Sequence, residues 1–506
     1  MGDSDLLGFE KELWVSANKM RGKIDPATYR KFLIPLIYAK YICEKENKTH
    51  WSKLVKLAQQ YNEDDIDDAQ MIGQETIDAL ENIGNGRKKV VKTALNIMQR
   101  SFRDLDGVSS RVLADVIPLL DNFDYGDEFS EQDTLGRIYE YFSSKFAQLE
   151  QRGGEFYTPR TIVKLLVNLL LPFDGDIYDG CFGSGGMFFQ DVDLIEHFNS
   201  QKEVSIYGQE MNPFTWACGV LNLELRMNTK YDLGGINEDT LLNDLHAGKK
   251  VRYCMTNPPF NIKDWPHDEL KGDPRFEGYN LPPEKSANYA WILHHLNKLE
   301  ENGYAAILMT NATLSTNQKD EVKIKEKLLE NDKVDCIIML PNKLFSNTPI
   351  SASIWVLTNN KKSTPLSHPN QIAAMGKMTR DRSTETLFID CREMGRLVTR
   401  KLRVLNEDEI KDVANMYHLW KSEEKFDEYQ DIPGKCKSAT IDQEIKEHDQ
   451  IIVPGRYVGR NIQIESDEST EIMIEKISSQ INENFEESKR LEGRIKKVLG
   501  DLNIEF

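Results

Sequence analysis

The sequence predicts a doubly wound α/β domain with a mostly parallel sheet, preceded by an all-helical amino-terminal unit and followed by a helical tail. Three observations carry that expectation. From residue 1 to about 150, apolar residues recur at helical spacing with no alternating strand pattern between them. From about 151, short apolar runs alternate with helical segments and with turns rich in glycine or proline. From Ile472 to Leu502 the apolar residues fit a heptad seam. A chain of 506 residues exceeds one typical domain, so the expected boundaries are 1–150, 151–400 and 401–506.

The first region reads as a bundle because TYRKFLIPLIYAKYI, VVKTALNIM and DTLGRIYEYFSSKFAQL place apolar residues every three or four positions. NEDDIDDAQ and NIGNGRKK read as exposed connections. Such a bundle names no chemistry by itself. In the second region the expected strands are 176–179, 204–208, 251–256, 304–310, 334–340, 353–358 and 387–390, with one more near Gly234–Asn237. TIVKLLVNLLL, MNPFTWACGVLNLELR, ANYAWILHHLNKL and DEVKIKEKLLE separate them as helices. This alternation covers a parallel sheet on both faces, and ligands then bind beyond the carboxyl ends of the strands, near the switch in strand order. In the tail, Ile474, Ile477, Ile481, Leu491, Ile495, Val498 and Leu502 form a stripe that Ser488 and Gly493 weaken. The stripe must be buried, either on its own domain or on a partner helix.

Composition narrows the class. No run approaches eighteen apolar residues, and the opening MGDSDLLGFEKELW has no apolar signal core, so a cytoplasmic protein without membrane contact is expected. Cys43, Cys181, Cys218, Cys254, Cys336, Cys391 and Cys436 are scattered with no CxxC pair, which favours buried free thiols over disulfides or a zinc site. No metal is expected. The net charge of −18 is unusual for a protein that holds nucleic acid unaided. Either the chain does not touch nucleic acid, or a partner supplies most phosphate contacts; an acidic surface kept for solubility explains the charge as well.

The chemistry lies in a set of turns. Asp179-Gly180-Cys181-Phe182-Gly183-Ser184-Gly185-Gly186 follows a strand and precedes a helix, so its backbone can approach a ligand closely with N–H groups pointing at it. The spacing is not GxGxxG and no Lys-Ser/Thr pair follows, which disfavours phosphate cradling; a plain structural turn fits the pattern equally. Glu210 and Asp239 each follow an expected strand, where a carboxylate can accept from ribose hydroxyls or from an adenine amino group. Either one alone is more often simply a solvated residue. Asn257-Pro258-Pro259-Phe260 ends the 251–256 strand and is the sharpest signal. Two prolines remove backbone donors and stiffen the turn, leaving the Asn257 side chain and the Pro258 carbonyl as fixed acceptors. Two acceptors on an aromatic amino group draw its nitrogen toward tetrahedral geometry and free a lone pair otherwise delocalised into the ring. Phe260 offers a face for stacking a base taken out of the duplex. Gly154-Glu155-Phe156-Tyr157-Thr158-Pro159 precedes the first helix of the region. Thr158 and Pro159 suit an N-cap and first turn, while Phe156 and Tyr157 are left to wall a pocket.

Taken in order, GEFYTP, the Asp179–Gly186 turn, GQE, EDTL and NPPF resemble the modification subunit of type I restriction-modification systems. LWVSANKMRG with YRKFLIPLIYAKY, NPPFNIKDW, ANYAWILHHL, LPNKLFSNTPISASIWVLT and GRYVG extend the resemblance over most of the chain. The resemblance implies a Rossmann-like methyltransferase domain that transfers a methyl group from S-adenosylmethionine to the N6 amino group of adenine in double-stranded DNA. Phe156, Tyr157, Thr158 and the turn residues Asp179, Gly183, Ser184, Gly185 and Gly186 would surround the cofactor's methionine end, Glu210 its ribose and Asp239 its adenine, with Glu155 and Asn257 also among the cofactor-binding residues. Asn257, Pro258, Pro259 and Phe260 would hold the flipped adenine. Gly180 departs from a usual proline and Phe182 from a usual smaller residue, which puts the turn's geometry in question. The resemblance further implies two such chains on one specificity subunit that reads the sequence, and a restriction subunit as a further partner. Lys263, Lys271, Arg275 and Lys285, in the loop after NPPF, are candidates for phosphate contacts, with solvated loop charges as the equal alternative. The same fold acting on an RNA base or a protein glutamine, and a non-catalytic scaffold, are the rival classes.

Overall fold

In chain order the amino-terminal helices are α1 (Pro26–Lys45), α2 (His50–Gln60), α3 (Ile66–Gly84), α4 (Lys89–Gln99) and α5 (Gly107–Asp121). On α4 the buried Val91, Ala94, Leu95 and Met98 form one stripe, whereas α1 is buried all round over the run 36–40. The computed structural model describes residues 26–459 except 62–65, 104, 106, 123–157, 190, 192, 193, 195, 198, 199, 201–203, 227, 346–349 and 401, together with Arg490. The expected helix over DTLGRIYEYFSSKFAQL, the residues Glu155, Phe156 and Tyr157, and the 472–502 stripe thus lie outside the described residues.

The second region begins with α6 (Arg160–Leu170), β1 (Ile177–Asp179), α7 (Gly186–Phe189), β2 (Ser205–Gly208), α8 (Pro213–Arg226), β3 (Lys230–Asp232) and β4 (Val251–Thr256). It continues with α9 (Asn288–Lys298), β5 (Leu299–Thr310), α10 (Lys319–Glu330), β6 (Val334–Met339) and β7 (Ala352–Thr358). Then follow β8 (Thr364–Pro365), α11 (Pro369–Met375), β9 (Met378–Thr379), β10 (Glu385–Asp390), β11 (Arg396–Leu397), β12 (Arg403–Val404), α12 (Glu407–Lys421) and β13 (Cys436–Thr440). Nine strands join in the order β13-β10-β6-β7-β5-β4-β1-β2-β3. β7 and β13 run antiparallel to their neighbours, and the other pairings are parallel. Alternate residues of one strand enter different cores: Tyr253 and Met255 lie in one cluster and Cys254 in the other, as do Ile354 and Val356 against Trp355 and Leu357. The sheet is therefore covered on both faces, which is why its central strands read as continuous apolar runs.

Strand order reverses between β1 and β4, so the crevice beyond their carboxyl ends is where this architecture places a ligand. The glycine-rich turn leaves β1 and NPPF leaves β4. Two expectations need correction. The strand expected near Gly234–Asn237 lies earlier, at Lys230–Asp232, because Gly234 and Gly235 take positive φ values of 77° and 72° and turn the chain. The boundary at 401 runs through the sheet body, since β13 pairs with β10 and α12 packs on α6. Residues 1–459 form one unit and 460–506 a second.

Within the first unit the bundle docks through α4 onto α8. Arg87 and Lys88 approach Glu224 at 3.7 and 3.4 Å, and the Tyr231 hydroxyl donates to the same carboxylate at 2.8 Å. Among the described residues all seven cysteines are free thiols, six of them buried, and no helix is long and apolar enough to cross a membrane.

Candidate active site

Asp179 closes β1 with 2% of its surface exposed. Its Oδ1 accepts from the Cys181 N–H at 3.0 Å and from the Thr256 hydroxyl at 2.6 Å. Thr256 is the last residue of β4, so one carboxylate ties the root of the glycine turn to the root of NPPF. Burial pushes the Asp179 carboxyl up to about 6, against the opposing pull of those hydrogen bonds. An ionised carboxylate held there without a cation carries a standing penalty, which a cationic ligand group would offset.

The turn itself is packed behind and open in front. A Cβ on Gly185 would sit 2.1 Å from the Phe189 ring, whereas one on Gly183, at φ 59°, would meet nothing within 4 Å. The departure at Phe182 has its own accommodation: side chains at Gly208 and Gly219 would strike its ring at 2.8 and 2.3 Å. Two glycines on β2 and α8 make the room for the larger residue. Gly180 is also explained. The His295 Nδ1 lies 2.8 Å from the Trp291 carbonyl, so that nitrogen carries the hydrogen and Nε2 is left to accept the Gly180 N–H at 3.3 Å. A proline has no N–H to offer. Burial lowers His295 to about 4, so the acceptor is neutral at working pH.

Glu210 bridges the turn and the segment after β2. Its Oε2 accepts from the Gly183 N–H at 3.1 Å and its Oε1 from the Asn212 N–H at 2.8 Å. A carboxylate has room for further donors on both oxygens. Asp239 Oδ1 accepts from the Leu241 and Leu242 N–H groups at 2.9 and 3.3 Å. The segments carrying the two acids run side by side, with Glu238 N–H on the Glu210 carbonyl and Asn237 Nδ2 on the Met211 carbonyl, both at 3.0 Å. Gln209, fully buried, fastens them: its Nε2 donates to the Asn243 carbonyl at 2.7 Å and its Oε1 accepts from Leu245 at 3.1 Å. Met211, Ile236 and Leu242 are large apolar residues left 60%, 52% and 49% exposed around these acids, a lining suited to a flat ring.

Thr158 does not cap α6, whose N-cap is Pro159. Its hydroxyl instead accepts from the Asn257 Nδ2 at 2.9 Å. That bond joins the GEFYTP segment to NPPF and fixes which end of the Asn257 amide is the acceptor. Pro258 is buried, Pro259 half-buried and Phe260 9% exposed within the larger core cluster. The chain then turns at Asn261, φ 57°, held by a reciprocal amide pair with Asn288 at 2.9 and 3.0 Å.

Of the basic residues expected to meet phosphate, Arg275 is corrected by the structure. It is 8% exposed, and its guanidinium donates to the Thr240 carbonyl at 2.9 Å, to the Leu241 carbonyl at 2.5 Å and to both Asp273 oxygens at 2.8–2.9 Å. Its Nη1 also lies 3.2 Å from His294 Nδ1, and His294 Nε2 is 2.9 Å from the Tyr178 hydroxyl. Thr240 in turn donates its hydroxyl to the Gly180 carbonyl. Arg275 therefore locks the loop after NPPF to the segment bearing Asp239 and, through Thr240, to the glycine turn. Lys271 is exposed and paired with Asp268 at 2.7 Å; Lys263 and Lys285 are exposed. The sequence reading missed Thr256, Gln209 and Arg275 as the fasteners of the site, since each acts through partners far away in the chain.

The family described as N-6 DNA Methylase matches residues 130–466, and the HsdM N-terminal domain family matches residues 9–148. The chain is similar to the type I restriction enzyme HindI methylase subunit of Haemophilus influenzae, 39% identical over 376 residues that cover 74% of this chain and 79% of the relative. It is also similar to the MjaIX methylase subunit of Methanocaldococcus jannaschii, 30% identical over 546 residues covering 98% and 91%. Its fold is shared with a type I restriction-modification system methyltransferase subunit from Streptococcus thermophilus, at a TM-score of 0.64 and 22% identity over 89% of this chain and 98% of that one.

Proposed function

The chain belongs to the N-6 DNA methylase family, among the methylase subunits of type I restriction enzymes, and on that premise we propose how its residues divide the work of methylating adenine N6 in duplex DNA. S-adenosylmethionine, when bound, supplies an electrophilic methyl group on a sulfonium. Thr158 and the Asp179–Gly186 turn, with Glu155, Phe156 and Tyr157, surround the methionine end. The packed back and open front of that turn suit a close-lying ligand, and the buried Asp179 suits a cationic one. Glu210 accepts from the ribose hydroxyls and Asp239 from the adenine amino group. On the substrate side, the Asn257 side-chain oxygen and the Pro258 carbonyl accept the two hydrogens of the target amino group. Phe260 stacks against the flipped base.

One observation carries this reading. The Thr256–Asp179 and Asn257–Thr158 bonds root the base-holding turn in the cofactor-holding one, so both ends of a methyl transfer meet at the β1–β4 crevice. The cell's specificity subunit supplies sequence recognition for two copies of this chain, which accounts for a net charge of −18 on a DNA enzyme. A restriction subunit is a further partner, and the complex works in the cytoplasm. The test is transfer of labelled methyl to unmethylated duplex, with and without the specificity subunit, followed by nucleoside mass spectrometry. N6-methyladenine formed only by the assembled complex is expected. Label appearing in RNA or protein, or none anywhere, overturns the reading.

Three further outcomes follow from these assignments. Glu210→Ala and Asp239→Ala should each weaken S-adenosylmethionine binding by roughly 1–3 kcal/mol in calorimetric titration, the worth of one or two hydrogen bonds. Unchanged affinity in both would remove them from the site. Asp179→Asn should stabilise the ligand-free chain by up to about 3 kcal/mol, because a carboxyl raised by two units loses that much when it ionises in the fold. The sign sets the pH window. The wild-type contribution is full below about pH 4 and lost by about pH 6, so the variant's advantage should grow across that interval and level off above it. A Tm difference that is flat from pH 4 to 7 would assign the proton elsewhere. Finally, removing residues 472–506 should spare cofactor affinity yet sharply lower assembly with the specificity subunit, read by gel filtration with light scattering. Normal assembly would mean the stripe packs on its own chain.

A further inference from the structure

The β11–β12 hairpin concentrates positive charge in a strongly acidic chain. Residues 394–404 include Arg396, Arg400 and Arg403 and no acidic residue, against a net charge of −18 overall. Arg396 and Arg400 are exposed, and among the described residues no carboxylate lies within ion-pair distance of either. Elsewhere on this surface the reverse is common: Lys271, Lys327, Arg392, Lys437 and Lys446 each have a carboxylate within 4 Å.

The hairpin is also held in place. Arg403 N–H donates to the Lys343 carbonyl at 2.7 Å, and Lys343 Nζ donates to the Arg400 carbonyl at 3.2 Å, adding a further exposed cation beside the tip. Arg403 Nη1 donates to the Met394 carbonyl at 2.8 Å. Glu409 accepts the Gly395 N–H at 2.5 Å while completing the capping box with Asn406 that starts α12. Val398 and Leu402 close the turn at 2.9 Å. Such an arm is pre-positioned rather than a loose charged tail.

Topology sets where it stands. β10 runs parallel to β6, Asp390 pairs with Met339, Met339 with Ser353, and Thr310 with Ala352, so the chain leaves β10 at the same edge of the sheet as NPPF leaves β4. Four strand spacings separate β4 from β10, roughly 19 Å. Along B-form DNA that span is about five or six base pairs.

We propose that the β11–β12 hairpin is a phosphate-contacting arm that holds duplex DNA alongside the catalytic edge, five or six base pairs from the base bound by Asn257. This rests on the reading of the chain as a duplex DNA methylase. Arg396 and Arg400 supply the contacts, and Lys343 reinforces them. Because these are backbone contacts, they anchor the duplex without reading sequence, leaving recognition to another subunit.

The test uses the full-length chain assembled with its specificity subunit, and compares wild type with Arg396→Gln/Arg400→Gln. Duplex binding is followed by fluorescence anisotropy from 50 to 200 mM salt, and methylation is measured on the same preparations. Each phosphate contact contributes about 0.9 to the log–log salt slope, so the double variant should flatten it by roughly 1.8 and weaken binding up to roughly thirtyfold at physiological salt. Turnover at saturating DNA and cofactor affinity should stay at wild-type values. Arg396→Lys/Arg400→Lys should restore the slope. An unchanged slope in the Gln variant, with a wild-type complex that methylates normally, overturns the arm and leaves the methylase reading intact. A variant that no longer assembles would make the hairpin, with its exposed Leu397 and Val398, a subunit contact and overturn it as well. A wild-type complex that neither binds nor methylates duplex DNA overturns both readings.

Discussion

Asn257→Ala should abolish methyl transfer by the assembled complex while leaving S-adenosylmethionine affinity almost unchanged. The substitution removes the side-chain acceptor proposed for the target amino group but leaves the glycine turn, Glu210 and Asp239 in place. An interaction made chiefly in the transition state shows in kcat rather than in ground-state binding. Removing one preorganised polar partner of a reacting group typically costs on the order of 10²–10³ in kcat, which sets the minimum loss expected here. Thr158→Val provides the graded comparison. It deletes the hydroxyl that accepts from Asn257 Nδ2 at 2.9 Å and leaves the acceptor oxygen present but less firmly oriented. Its loss should be about one hydrogen bond, up to roughly tenfold in rate. Single-turnover methylation at saturating cofactor, with affinity measured separately, distinguishes the two. Near-normal turnover in Asn257→Ala would mean that the amino group is activated by other residues.

The parts of this fold that the sequence made legible are those written in local turn chemistry. The strand–turn–helix at Asp179–Gly186 and the stiff Asn-Pro-Pro-Phe turn each carry their geometry in adjacent residues, and both stand at the carboxyl ends of the expected strands. What local pattern could not carry was pairing at a distance. β3 has three residues, of which Lys230 and Asp232 are exposed, so no apolar alternation marks it, and the glycines after it drew the expectation several residues downstream. β13, Cys-Lys-Ser-Ala-Thr, buries only Cys436 and Ala439 and is a strand because β10 offers it a ladder. Thr158 looks like an N-cap beside Pro159, yet its hydroxyl serves Asn257, 99 residues away in the chain. The two departures from the family pattern became intelligible only with their partners in view: Phe182 with Gly208 and Gly219, Gly180 with His295.

Arg275 gives the strongest contrast between a residue's type and its place, and it separates the two readings by experiment. As a loop arginine it suggests a phosphate contact, and neutralising it should then leave the ligand-free chain as stable as before while flattening the salt dependence of DNA binding. As a buried fastener it behaves differently. Arg275→Met leaves the Thr240 and Leu241 carbonyls and His294 Nδ1 without the guanidinium donor, and leaves the Asp273 carboxylate with only the backbone N–H of residue 275. Leaving a buried acceptor without its partner costs about 1–3 kcal/mol, and that loss should appear in Tm or denaturant midpoint without any DNA present. Arg275→Lys keeps the charge but not the planar fork that reaches two carbonyls and a carboxylate together, so it should fall between. The position of Thr240, donating to the Gly180 carbonyl next to Asp239, extends the effect to ligand binding. In variants still folded, S-adenosylmethionine affinity should drop more than turnover measured at saturating cofactor, because the segment bearing Asp239 has lost its anchor while Asn257 has not. Stability and cofactor affinity both at wild-type values in Arg275→Met would show that the buried network carries none of this load.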